Sequence, residues 1–285
     1  MLIHGVDFTS APGRRKGITI ASGTLSGRRL AVTSIQTLEE WTQFELWLHA
    51  PGPWIGGFDF PFGLPREAVA DLGWPQDWEA LAAHCAGLGR VRLRAALDAY
   101  RATRPVGNKY PHRRGDLAAG SHSPVKLVNP PVALMYLEGA PRLAASGVHL
   151  PGLRPGDLER IALEAYPGYA VRQLCREMRG GARPGSYKND AKSKQTPERR
   201  KLRGRIVRQL AGKGLGGIRL DAGRALLASL VDDGSGDRLD AVLCALQAAH
   251  CWRLRAQNFG LPEDLDPLEG WIATVTSPLS QSPRP

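Results

Sequence analysis

Five carboxylates stand where solubilising charge is a poor explanation. Asp7 interrupts an apolar stretch in Gly5-Val6-Asp7-Phe8, and Asp59 ends another in Gly56-Gly57-Phe58-Asp59-Phe60-Pro61. Asp237 and Asp240 lie three residues apart in Gly236-Asp237-Arg238-Leu239-Asp240-Ala241, a spacing that puts both on one helix face. Glu164, in Leu163-Glu164-Ala165-Tyr166-Pro167, is open to three readings: metal ligand, proton carrier or partner of an arginine. An ionised carboxylate among buried neighbours is costly unless something positive meets it. Taken singly, Asp7 or Asp59 could form a turn or end a strand, and Asp237 could cap a helix. Asp240, a turn further in, is not explained by capping. Asp232 and Asp233, ahead of Gly234-Ser235-Gly236, are expected to shape a turn. Carboxylates that converge repel one another without cations, and oxygen-only ligands suit Mg²⁺ or Mn²⁺. Two such ions about 3.5–4 Å apart can activate a water and stabilise the leaving oxygen of a phosphodiester.

Such chemistry needs elements that bring distant residues together. Residues 2–8, 17–21 and 28–35 are short runs rich in Val, Ile and Thr, and they predict an antiparallel meander. Thr37-Leu38-Glu39-Glu40 predicts a capping box and a helix ending near Ala50-Pro51. A fourth strand is expected from Trp54 to Asp59. A right-handed crossover lays it parallel beside the first, about 4.8 Å away, so that Asp7 and Asp59 end as neighbours. Residues 66–148 are expected as a helical and loop insertion, with a helix around Trp78–Tyr100 and a loop over 104–126. A fifth strand over 161–165 follows, then helices at 170–178, 198–211, 222–231 and 237–254. In the last helix Ala241, Cys244 and Ala248 continue the aspartate face, and small residues there let the helix approach the sheet closely. Leu239, Val242, Leu243 and Leu246 cover its other side. The whole is an α/β fold with a mixed five-stranded sheet in one domain, 1–276, ahead of a disordered tail at 277–285.

Charge is unevenly placed. Of a formal +11, thirteen Lys/Arg against three acids fall between Arg172 and Arg208, a net +10 within 37 residues. Such a stretch favours polyanion contact, although solvated basic faces have the same composition. The four cysteines, Cys85, Cys175, Cys244 and Cys251, form no C-x-x-C pair, which argues against zinc and fits a reducing cytoplasm. No apolar stretch reaches the ~20 residues of a membrane span, and Met1–Asp7 is not read as a signal peptide.

Gly-Val-Asp-Phe at 5–8, Gly-Phe-Asp-Phe-Pro-Phe-Gly at 57–63, Glu-Ala-Tyr-Pro at 164–167, Leu-Asp-Ala-Val-Leu-Cys-Ala-Leu at 239–246 and Glu-Gly-Trp-Ile at 269–272 resemble domain-of-unknown-function family 429. That family is regarded as predicted nucleases of ribonuclease H-like fold. The resemblance implies this fold and a site at Asp7, Asp59, Glu164, Asp237 and Asp240. The chain departs from many related nucleases in carrying Asp59 where they use Glu, which shortens reach by a methylene. The expected function is metal-dependent cleavage of DNA or RNA. A non-catalytic nucleic-acid-binding protein and an ATP-dependent phosphotransferase remain the other readings, because fold alone does not choose among them. Phosphate contacts are expected from Arg14, Arg15, Lys16, Arg114 and Lys188. Tyr187 is read as a base-stacking residue or a loop anchor, and His112 or His122 as a proton carrier or an exposed loop residue.

Overall fold

The computed structural model describes residues 1–179 and 185–276, and among these the side chains of 177–179 are excluded. The expected tail at 277–285 therefore lies outside the described residues, as do residues 180–184 between the helices expected at 170–178 and 198–211.

β1 (Leu2–Asp7), β2 (Ile18–Ser26) and β3 (Arg29–Leu38) form the expected antiparallel meander. Both later strands run past their apolar runs, because ladder pairing carries Thr24–Ser26 and Gln36–Leu38 along with it. Leu38 thus belongs to β3. The capping box lies one turn later than expected, with Glu40 and Gln43 satisfying each other at the start of α1 (Trp41–Leu48). β4 (Trp54–Phe58) pairs parallel with β1, and its register of Val6 against Phe58 continues into a 2.9 Å bond from the Asp59 amide to the Val6 carbonyl.

Residues 66–147 contain four helices and no strand: α2 (Arg66–Asp71), α3 (Trp78–Thr103), α4 (Arg114–Ala119) and α5 (Val132–Ser146). α4 corrects the expectation of an unbroken loop over 104–126. Arg113 and Asp116 form a capping box there, a pairing with too little apolar periodicity to stand out in the sequence. This span is a layer of the fold. Trp78, Leu81, Leu93, Leu97, Tyr136 and Leu143 join Val6, Ile20, Phe44 and Phe58 in one core against one face of the sheet.

β5 (Val148–His149) and β6 (Asp157–Glu164) follow, then α6 (Pro167–Arg179), which takes Pro167 at its first position, where the missing amide costs nothing. α7 (Pro197–Gly212), β7 (Arg219–Asp221), α8 (Arg224–Asp232) and α9 (Asp237–Arg253) complete the order. The sheet has seven strands, in the order β5-β6-β4-β1-β2-β3-β7, where five were expected. The two additions are edge strands of two and three residues, too short to carry a period-two signal. On the second face, Ile3, Ala21, Ile55, Ile161 and Leu163 pack against α6 through α9. No helix among the described residues is long and apolar enough to cross a membrane.

Candidate metal centre

Alternation along the strands decides which acids meet. Side chains two apart share a face, and Gly5 and Gly57 lie directly under α9. A Cβ on Gly5 would stand 1.9 Å from the Ala241 carbonyl oxygen, and one on Gly57 2.4 Å from that of Cys244. α9 can therefore approach the backbones of β1 and β4 this closely only because both offer glycine at the contact. Two residues on from each glycine, on the same face, are Asp7 and Asp59. The first turn of α9 brings Asp237 and Asp240 over them. Each of Asp7, Asp59 and Asp240 places a carboxylate oxygen within 4.8 Å of the others. Asp240 is fully buried, Asp7 is 5% exposed, and Asp59 keeps a narrow edge to solvent.

This convergence is short of positive charge. Oδ2 of Asp7 and Oδ1 of Asp237 are buried without a hydrogen-bond partner. Burial pushes Asp7 well above its ordinary pKa; Lys188 opposes the rise, and Asp240, Asp237 and Asp59 add to it. For Asp59, burial is again the main cause of a pKa raised to about 7, with Lys188 opposing and Asp240 and Glu164 adding. Asp240 is raised by burial against the pull of Lys188 and Tyr187. Asp237 does not cap α9. Asp233 accepts from the Arg238 amide at 2.9 Å and from the Ser235 amide and hydroxyl, so the turn reading holds for Asp233, and Asp237 is left facing the cluster. Asp232 pairs with Arg200.

Glu164 falls elsewhere. Its register partner is Phe58, so it shares Phe58's face, whereas Leu163, the register partner of Gly57, and Ala165, just past the end of β6, lie on the face under α9. Arg113, 1% exposed, grips both Glu164 oxygens at 2.6 and 2.7 Å, and the Phe62 amide donates at 2.8 Å. Of the three readings of Glu164, the structure matches the arginine partner. Residues 112–116 read in the sequence as a polar stretch at the mouth of the site. That Arg113 is the buried partner of Glu164 is not legible there, because nothing in a basic loop marks one arginine as buried.

Lys188 and Tyr187 sit on the cluster. The Lys188 ammonium and the Tyr187 hydroxyl donate to opposite oxygens of Asp240. Burial works against the charged form of Lys188, but Asp240, Tyr187, Asp7 and Asp59 outweigh it and hold its pKa well above the ordinary value. Tyr187, 7% exposed, is an anchor and has no face free for base stacking. The pair is held from behind: Arg203, 2% exposed, donates to the Tyr187 carbonyl at 2.7 Å, and Arg199 donates to that of Lys188. Sequence reasoning passed over both arginines as part of a basic helix.

Of the other expected contacts, Lys16 reaches Asp190 at 3.1 Å and Asp237 at 3.6 Å. Arg14 and Arg15 are exposed at the tip of the turn closed by Gly13 and Lys16. Arg114 is tied to Asp264 at 2.7 Å. His112 and His122 are exposed, and His122 lies 3.4 Å from Lys126. Neither histidine belongs to the carboxylate cluster.

The profile of a family described as "Protein of unknown function (DUF429)" matches residues 5–264. The chain belongs to that family. The match spans all four aspartates, Glu164 and Lys188. No curated protein and no solved structure matches the chain.

Proposed function

We propose that this protein is a metal-dependent nuclease that hydrolyses phosphodiester bonds of DNA or RNA in the cytoplasm. The observation that carries the reading is the meeting of Asp7, Asp59 and Asp240 within 4.8 Å, with the buried Asp7 Oδ2 left unpartnered. A hard divalent cation, Mg²⁺ or Mn²⁺, fits an all-oxygen donor set of this kind. Asp7, Asp59 and Asp240 would hold it, with Asp237 alongside. The ion would supply Lewis acidity toward a phosphoryl oxygen and a more acidic water.

The remaining work falls to the chain. Tyr187 fixes the orientation of Asp240, and Lys188 and Lys16 hold ammonium donors beside the carboxylates. The N-terminus of α9 directs its partial positive charge at the same point, which favours anionic groups there. Lys192, Lys194, Lys201, Arg205 and Arg208 are exposed on the stretch that leads to and forms α7, a surface suited to a polyanionic backbone. The strand order β3-β2-β1-β4-β6, antiparallel and then parallel, supports a ribonuclease H-like assignment of the sheet's centre. Four free, buried cysteines accord with a reducing compartment.

The test is a panel of single-stranded, duplex and branched DNA and RNA with Mg²⁺ or Mn²⁺. Cleavage is expected only with metal, reduced at least about 10²-fold in Asp7→Asn and Asp240→Asn, the upper end of what losing an outer partner of a metal ligand costs. Binding without metal that survives both substitutions, with no cleavage of any substrate, would overturn the reading in favour of a binding protein. ATP turnover with transfer to a small acceptor would overturn it in favour of a phosphotransferase.

A further inference from the structure

We infer that the centre takes a single divalent ion, and that the Lys188 ammonium supplies the second positive charge that a paired-ion site draws from another metal. This rests on the metal reading of the cluster and goes beyond it in fixing the stoichiometry.

Each acid on α9 already faces an ammonium group. Lys188 Nζ donates to Asp240 Oδ2, and Lys16 Nζ stands 3.6 Å from Asp237 Oδ1. Asp7 and Asp59 are different: among the described residues, no hydrogen bond or ion pair ends on either carboxylate. Lys16 is shared with Asp190 at 3.1 Å, but the Asp190 side chain is 73% exposed and its charge is screened by solvent. Within the cluster itself, four carboxylates against two ammonium groups leave two negative charges, which one divalent ion neutralises. A second ion would leave an excess of two positive charges among groups as buried as Asp7 and Asp240, an arrangement that desolvation opposes.

Lys188 is also not a loose surface lysine that an incoming ion would simply displace. Its carbonyl accepts from Arg199 and from Ser186 Oγ, the preceding carbonyl is held by buried Arg203, and the following amide bonds to Gly234 at 3.1 Å. A side chain delivered by so constrained a backbone is preorganised. An ammonium has three donors, so with one given to Asp240 two remain for phosphate oxygens. On the Lys188 side the substrate would meet hydrogen-bond donors in place of a Lewis acid.

The test is titration of the full-length protein with Mn²⁺, followed by calorimetry and electron paramagnetic resonance. Wild type is expected to bind one Mn²⁺ with no spin-coupled pair. Lys188→Met, which keeps the stem and removes the charge, is expected to admit a second ion or to bind the first at least about tenfold more tightly. Lys188→Arg, which keeps the charge, is expected to remain at one. Two coupled ions in wild type would overturn the inference and leave the metal reading intact, a result that does not depend on any variant folding. Unchanged stoichiometry and affinity in a folded Lys188→Met would reduce Lys188 to a loop anchor and overturn it too. No bound ion in wild type would bring down this inference and the metal reading together.

Discussion

Two groups of buried carboxylates lie at neighbouring strand ends on opposite faces of one sheet. At the end of β6, Glu164 and Asp116 converge on Arg113, and every one of their four oxygens accepts at least one hydrogen bond. Arg113 spends its remaining capacity on the Glu269 carbonyl at 2.9 Å. At the ends of β1 and β4, by contrast, Asp7 and Asp59 have no such partners among the described residues. Burial raises the pKa of Asp7 and Asp59 as it does that of Glu164, but only at Glu164 do direct bonds from an arginine oppose the rise. Burial is severe in both places, so burial alone does not distinguish a framework from a site. The supply of donors does. A satisfied network holds its own shape, whereas an unsatisfied one is stable only with its charge removed or with something bound.

The sharpest way to break that contrast is to cut each group once. Arg113→Met strands two buried carboxylates and is expected to cost about 3–5 kcal/mol in denaturant unfolding. Asp7→Asn removes charge from the unsatisfied group and is expected to move the metal-free unfolding midpoint upward while abolishing Mn²⁺ binding. If Asp7→Asn destabilised the metal-free chain as Arg113→Met does, Asp7 would be framework and the contrast would fail.

A second cut tests how the unsatisfied group is held. In Gly5→Ala the new methyl would meet the Ala241 carbonyl and the Ala245 amide, both backbone atoms with little room to yield. Overpacking of this kind costs about 1–3 kcal/mol, and the displaced α9 should carry Asp240 away from Asp7. The expected outcome is a lower melting temperature together with weaker Mn²⁺ binding. Gly13→Ala, where nothing lies within 4 Å, should change neither. A Gly5→Ala protein that melts early but keeps its Mn²⁺ affinity would show that the centre does not depend on this close approach.

The same glycines mark how far the sequence could be read. Asp7, Asp59, Asp237 and Asp240 were legible because each breaks an apolar or helical pattern, and the meander with its crossover was enough to set Asp7 beside Asp59. Glu164 was grouped with them because its strand end was visible and its face was not. Face depends on register, and a slip of one residue between β4 and β6 reverses it. Arg113, Arg199 and Arg203 were illegible for a related reason: an arginine's burial is decided by elements far away in sequence. The edge strands β5 and β7 exist only through the neighbours they pair with, so no local pattern announces them.

The smallest expected effect is on pH dependence, and its sign follows from the unsatisfied group. Asp59 rises from 3.8 to about 7 in the folded, metal-free chain, so between these values the folded state binds more protons than the unfolded state. Stability must then fall as pH climbs through that window. Asp7 and Asp240, also raised, act in the same direction. Because Asp59 keeps an edge to solvent, screening reduces its share to about 1 kcal/mol, or about 2–4 °C in melting temperature. A bound divalent ion reverses the sign, since it holds the carboxylates ionised when folded and ties stability to their deprotonation. Melting curves at pH 5 and pH 8, with chelator and with Mg²⁺, should therefore diverge as pH rises. Parallel curves would mean that the carboxylates at the ends of β1 and β4 are as well supplied with partners as those around Arg113.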